Sequence, residues 1–398
     1  MKNIRLGLLI ILLLSLKAVD AQYTFFRPEG SFAIEVSLEN TKLKRLPIYR
    51  NSITSLCVVN DLIVGGTSTF NNSSPFLFIA SIKEQDVTDI FDLKNRVTGQ
   101  YAIRSGFVKD RSGNTLYAGT MPDGSVSRDG HLLQIKIDNK GKLVVEDLGI
   151  PVSGEGVFAL TGNDNGSVLY GISYPSGYFF SYNIKTEKTR IYKNTAPSEA
   201  VVQTLNESFS LTPKEFLSNA LVADRQGFVY GSLPYGKLFC FDVNRDTVLT
   251  LDAEIPFVWG RRTIGQVQSW LKTKDGKIYG ANSADGQLFE LDTDKQIIKN
   301  LGKAIMMPGV SGLAEAADGK IYGVAGGSSG YAHLFSYDEE SGFTDYGNPD
   351  FEMYMQDIDL TILWRGFQLS SIAVSDDGRY IVMGENESLS QLMVFSIK

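Results

Sequence analysis

Apolar residues in this chain fall into short runs separated by glycine-rich polar clusters, and the runs return in a fixed order. An apolar strand is followed by a turn of the Asp-Gly type, then a strand ending in Tyr-Gly. A loop comes next, and then Leu-Phe-x-Tyr-Asp. Repeat three reads VFALTGNDNGSVLYGISYPSGYFFSYN and repeat four NALVADRQGFVYGSLPYGKLFCFD. Repeat five reads QSWLKTKDGKIYGANSADGQLFELD and repeat six SGLAEAADGKIYGVAGGSSGYAHLFSYD. Repeat two is looser, and repeats one and seven are degenerate. Short runs bounded by glycine turns are strand signals, and apolar character on both faces suits strands sandwiched between two neighbours.

Matching positions on the first strand are Thr54, Arg104, Phe158, Asn219, Gln268, Ser311 and Ser370. Their mean spacing of roughly 53 residues lies near that of four-stranded propeller blades. Each repeat supplies strands A, B and C and a weaker strand D. Gly113, Gly166, Gly227, Gly276, Gly319 and Gly378 fall in the A–B turns, read here as two-residue hairpins. The expected fold is therefore all-β, a seven-bladed β-propeller in one domain over residues 22–398, with six or eight blades left open. Repeat seven reaches Lys398 after strand C and lacks a strand D. The stretch FAIEVSLENTKLKRLPIY before repeat one looks like that missing strand, so the ring is expected to close by pairing the N-terminal strand with the last blade.

The repeat phrase resembles the secreted Tyr-Gly…Leu-Phe-x-Tyr-Asp propellers found with polysaccharide-degrading systems of bacteria, and more loosely kelch and WD-type propellers. The resemblance covers nearly the whole mature chain. It implies a fold and a setting in glycan utilisation, and it carries over no catalytic position.

Composition adds limits. The 39 glycines, 23 Phe and 18 Tyr favour many strands and tight turns. A net charge of −7 argues against nucleic acid as a partner. Lys2, Arg5, the apolar run Leu6 to Leu16 and the small residues of Val19-Asp20-Ala21 read as a signal peptide over residues 1–21, cut before Gln22. No other long apolar run follows, so the mature chain is expected to be secreted or periplasmic, not membrane-spanning, and monomeric. Cys57 and Cys240, both in strand-like runs of distant repeats, read as buried free thiols rather than a disulfide.

Candidate chemistry is concentrated in the D–A and B–C connections, which emerge together on one face of a propeller. Three long D–A insertions lie between repeats three and four, four and five, and six and seven; the first has a helix start at Thr212-Pro213. The second carries Trp259 with Arg261 and Arg262, and the third Trp364 with Arg365. A Trp platform beside Arg donors suits a sugar ring bearing carboxylates. Arg104 and Gln268 are expected to face the channel or a neighbouring blade, with Glu155 or Glu385 pairing Arg104. His131 and His333 occupy one variable place before the strand-C apolar pair, where Tyr178, Lys237 and Gln287 stand in other repeats. His131, Tyr174 and Tyr235 are candidate acid–base groups, and His333 a candidate ligand contact. No zinc, phosphate-loop or nucleophile-elbow motif occurs, so no metal and no cofactor are expected.

Three functions are compatible with these residues. One is a module binding a saccharide or protein on the loop-rich face. Another is a polysaccharide lyase or glycoside hydrolase acting on uronate-containing glycan, and the third a structural subunit of an envelope complex.

Overall fold

A computed structural model describes residues 25–27, 29–36, 51–69, 74–195, 216–257, 266–305, 309–326, 332–355, 360–366, 368–386 and 390–397. The signal-like segment and the expected helix at Thr212 lie outside these residues. Among the described residues no helix is long and apolar enough to cross a membrane.

The repeats fold as up-and-down antiparallel sheets. Repeat three forms Gly156–Gly162, Val168–Tyr174, Tyr178–Asn183 and Lys188–Asn194 in that spatial order. Repeats four and five form four-stranded sheets in the same way. Repeats one and two share a nine-stranded sheet, in which Leu62–Thr69 meets Gln100–Ile103 through the single pair Ser68–Ala102. In repeat seven, Leu369–Val374, Tyr380–Glu385 and Gln391–Ser396 are joined by Phe32–Glu35 from the N-terminal side, antiparallel to Gln391–Ser396.

Strand pairing explains the recurring phrase. Gly65, Gly171, Gly231, Gly280 and Gly323 on strand B stand directly opposite Phe78, Phe180, Phe239, Phe289 and Phe335 on strand C. Each phenyl ring lies across its glycine. A Cβ on Gly231 would stand 2.5 Å from the Phe239 ring and 2.8 Å from Leu221. The requirement here is space, so the glycine of Tyr-Gly and the phenylalanine of Leu-Phe form one feature of two strands.

The A–B turns differ from the expectation of two-residue hairpins. In repeat four, Gly227 N–H donates to Asp224 O, Asp224 N–H donates to Phe228 O, and Gly227 has φ +91°. This is a three-residue loop, a tight turn closed by a left-handed glycine; repeat three uses a four-residue version, Asn163 to Val168. Only repeat one has the two-residue form, at Asn60-Asp61, among the described residues.

The long connection between repeats six and seven is no irregular loop. Strand Gly342–Met355 runs past its sheet and folds back on Leu360–Arg365 as a hairpin, with Phe351 opposite Trp364. Phe25–Phe26 pairs in parallel with the start of this extension. Alternation in FEMYM and LTILW carries the pattern of a strand pair.

Buried clusters form between repeats rather than within them. Each mixes side chains from consecutive repeats, first with second, and so on through sixth with seventh; one further cluster joins seventh with first. Cys57 and Cys240 are free and buried in two of these clusters. Burial pushes their thiols up to about 11 and about 12.

Candidate functional site

The position matched across strand A is a structural singularity. Thr54, Phe158, Gln268, Ser311 and Ser370 are each the extra residue of a β-bulge. In repeat two, Ile103 pairs with Thr120 as Val157 pairs with Ser173, so Arg104 takes the place that Phe158 takes in repeat three. A bulge re-aims its side chain out of the ladder. All of these except Phe158 are partly accessible on strands that are otherwise largely buried.

Several of the re-aimed side chains reach to the next repeat. Ser370 Oγ donates to Ile53 O, from repeat seven to repeat one. Thr54 Oγ1 donates to Ile103 O at 2.7 Å, and Ser55 Oγ donates to the same oxygen at 3.0 Å. Between repeats five and six, Ser269 Oγ donates to Val310 O at 3.1 Å. Gln268 also points across this junction, toward Gly309.

Arg104 breaks the series. Its guanidinium carbon lies 4.3 Å from the centroid of the Phe158 ring. Phe158 in turn stacks on Tyr174, centroids 5.6 Å apart at 21°. Among the described residues Arg104 has no hydrogen-bond or ion-pair partner. Burial lowers its pKa below the ordinary arginine value, opposed by Tyr101 and Tyr174 nearby. The group stays charged at neutral pH because arginine starts so high. Burial likewise raises the Tyr101 hydroxyl, and Arg104 opposes the shift.

The expected carboxylate partners are turned elsewhere. Glu155 accepts from Ser173 Oγ at 3.0 Å, from Ser176 N–H at 2.9 Å and from Ser176 Oγ at 2.5 Å, closing the B–C loop of repeat three. Glu385 accepts from Gln391 N–H at 3.0 Å, closing the loop of repeat seven. Unpaired loop N–H and O–H groups bind these carboxylates, and neither reaches Arg104.

His131 and His333 share one arrangement. His131 Nδ1 lies 3.0 Å from Asp147, and His333 Nδ1 lies 3.0 Å from Asp345. The same place holds Lys237 on Glu254 at 2.7 Å, and Gln287 Oε1 accepting from Asn300 Nδ2 at 2.8 Å. The variable place is thus a polar clamp between the start of strand C and the end of strand D. A signal for it exists in Asp147-Leu-Gly149, Asn300-Leu-Gly302 and Asp345-Tyr-Gly347, where the side chain also accepts from the glycine N–H.

The structure brings Arg104 and Tyr174 together and adds Tyr101 and Phe158. Tyr235 stands apart, exposed in the turn Pro234–Gly236 with φ +65°. Arg365 lies 3.9 Å from Asp350, its strand partner across the hairpin. Trp259, Arg261 and Arg262 lie outside the described residues. The repeats align Phe158 with Arg104, but the contact between adjacent repeats at this position emerges only from the ring geometry. No group of three or more His, Cys, Asp or Glu side chains able to hold a metal occurs among the described residues.

Two ion pairs at the turn end of the strands reach across the ring of repeats. Lys109 of repeat two holds Asp376 of repeat seven at 2.9 Å, and Asn60 N–H of repeat one donates to the same carboxylate at 2.8 Å. Lys272 of repeat five pairs with Asp164 of repeat three. Both ion pairs tie repeats that are not neighbours.

No family model and no curated protein matches this chain. Among solved structures it is similar to a catalytically inactive virginiamycin B lyase from Staphylococcus aureus, crystallised with quinupristin. The TM-score is 0.60 at 10% identity, over 92% of this chain and 100% of that one. The likeness is one of fold, and the fold is a β-propeller.

Proposed function

We propose that this chain is an extracytoplasmic propeller of seven blades that binds a carboxylate-bearing saccharide at the mouth of its channel, with Arg104 as the anion contact. Seven blades are supported by seven repeats, seven inter-repeat clusters and the division of the nine-stranded sheet at Ser68–Ala102. Closure of the last blade by the N-terminal strand is supported by the pairing of Phe32–Glu35 with Gln391–Ser396. Placement outside the cytoplasm rests on the signal-like residues 1–21.

The observation that carries the ligand class is the sheltered, unpartnered guanidinium of Arg104 in a ring whose other positions are uncharged. A buried cation is costly unless an anion meets it. A carboxylate meets Arg through two parallel hydrogen bonds. Rim hydroxyls and amides, and the partly exposed Tyr174 ring, suit the rest of a sugar.

The test is calorimetric titration with oligogalacturonate and oligoglucuronate, using the parent and Arg104→Met. Removing Arg104 should cost about 1.5–3 kcal/mol, roughly 10- to 150-fold in affinity. A parent that binds no uronate oligomer, or an unchanged variant, overturns the proposal.

A further reading is favoured by one contact. Tyr174 lies next to Arg104, and a tyrosine hydroxyl beside an Arg-held carboxylate suits β-elimination from a uronate. The similar solved structure is a lyase, which gives a fold precedent and no substrate. Ultraviolet absorbance of an unsaturated product, lost in Tyr174→Phe with binding retained, would make the chain a lyase. Binding without such product leaves it a binder.

A further inference from the structure

At the turn end, away from Arg104, the fifth and sixth repeats leave a groove between them with a cavity of about 220 Å³. Its rim carries four carboxylates, Asp275, Glu315, Asp338 and Glu339, against the single ammonium of Lys277, which sits on Glu339. Hydrogen bonds from Thr273, Ser341 and Lys277 hold Asp275, Asp338 and Glu339 below the usual carboxylate range. Glu315 accepts from Lys274 N–H at 2.7 Å. The groove lining therefore carries a net negative charge at neutral pH, with Lys299 and Lys320 near enough to act on Glu339 and Asp338.

Acidity alone would be a solvated face. The walls add something else. Tyr279 and Tyr337 line the cavity while only 4% and 8% exposed. Neither hydroxyl has a hydrogen-bond partner among the described residues. Burial pushes the Tyr279 hydroxyl up to about 12, so it stays a neutral phenol. Two phenol oxygens at the tips of these buried rings reach the cavity and are free to accept, beside carboxylates with spare lone pairs. The cavity is smaller than the roughly 300–1,000 Å³ of ordinary ligand pockets, so it suits a small head group.

We propose that this groove binds an organic cation, an alkylammonium or alkylguanidinium head, which N–H donation to Tyr279, Tyr337 and the rim carboxylates would hold. Lys277 is the chain's own competitor for Glu339. That gives the proposal an unusual sign, because removing a side chain should improve binding. The site is independent of the Arg104 reading and stands or falls apart from it.

The test titrates n-butylammonium and n-butylguanidinium chloride into the full chain, followed by tyrosine difference absorbance and calorimetry. Lys277→Met should bind about two- to fivefold more tightly than the parent, and Glu339→Gln more weakly by a similar factor, the range of one partly exposed ion pair. Tyr279→Phe should weaken binding in the Lys277→Met background. A Gly-Arg-Gly peptide run in parallel identifies the source: peptide binding at least as tight as the small cation points to a protein side chain, and weaker binding to a free amine. Thermal melts confirm that each variant is folded. Absence of saturable binding in both the parent and Lys277→Met overturns the proposal, as does a folded Glu339→Gln that binds as the parent does.

Discussion

Two regions of the same repeats obey opposite rules. Where strand B faces strand C, five repeats place glycine under phenylalanine in the same register. At the matched position of strand A, a β-bulge in five repeats, the residues are Thr54, Arg104, Phe158, Asn219, Gln268, Ser311 and Ser370, a set with no common size or charge. The glycine–phenylalanine region is pressed between neighbouring sheets, and each repeat meets the same packing condition. At the bulge the side chain leaves the ladder, and each repeat puts it to a different use: Ser370 and Thr54 reach the next repeat, Phe158 enters the core, and Arg104 lies over the Phe158 ring. Repetition therefore marks structure, and departure from it marks the places free to take on chemistry.

The largest way to break this comparison is to fill a glycine. Gly231→Ala drives a methyl into the Phe239 ring, and overpacking of this kind costs about 1–3 kcal/mol. A lower urea midpoint with unchanged slope is the expected result, partly restored by Phe239→Leu in the same chain. A midpoint equal to the parent's would mean that the glycine–phenylalanine register is incidental.

A smaller effect is expected at the rim where a side chain does link repeats. Ser370→Ala removes the hydroxyl that reaches Ile53 O and should cost about 0.5–1.5 kcal/mol by the same measurement. No loss would separate the bulge position from stability altogether. The smallest effect is expected at Arg104. Arg104→Met removes a sheltered cation that has no partner among the described residues, so the midpoint should hold or rise, while uronate binding falls. A marked destabilisation would place Arg104 with Thr54 and Ser370 as a link between repeats.

Much of the architecture is legible in the sequence because packing forces it to recur. Tyr-Gly and Leu-Phe can be aligned without knowing that they touch. The buried thiols are legible from their apolar runs. The turns are not, because Asp-x-x-Gly resembles a two-residue hairpin signal, whereas the Asp carboxylate binds the loop N–H groups and the glycine adds a further left-handed residue. The hairpin after repeat six is hidden because its alternation belongs to no repeat. At the site, the aligned position puts Arg104 at the rim, but only nearness in the fold suggests Glu155 and Glu385 as its partners. Their direction is set by loop donors that spacing does not reveal. The His clamps are readable in the Asp-x-Gly endings of strand D.

One pairing has a consequence for how the molecule comes to exist. Phe32 lies opposite Val394, nearly the whole chain apart. A ribosome makes the first of these long before the other, so residues 32–35 wait unpaired while every intervening repeat is synthesised. Loop closure grows only slowly in cost with length, so the final pairing is thermodynamically accessible once its partner arrives. It is nonetheless among the most non-local contacts available to the chain, and such contacts slow folding. A nascent or C-terminally clipped chain therefore holds two unsatisfied edges at once, the strand at residues 32–35 and the edge it would cover.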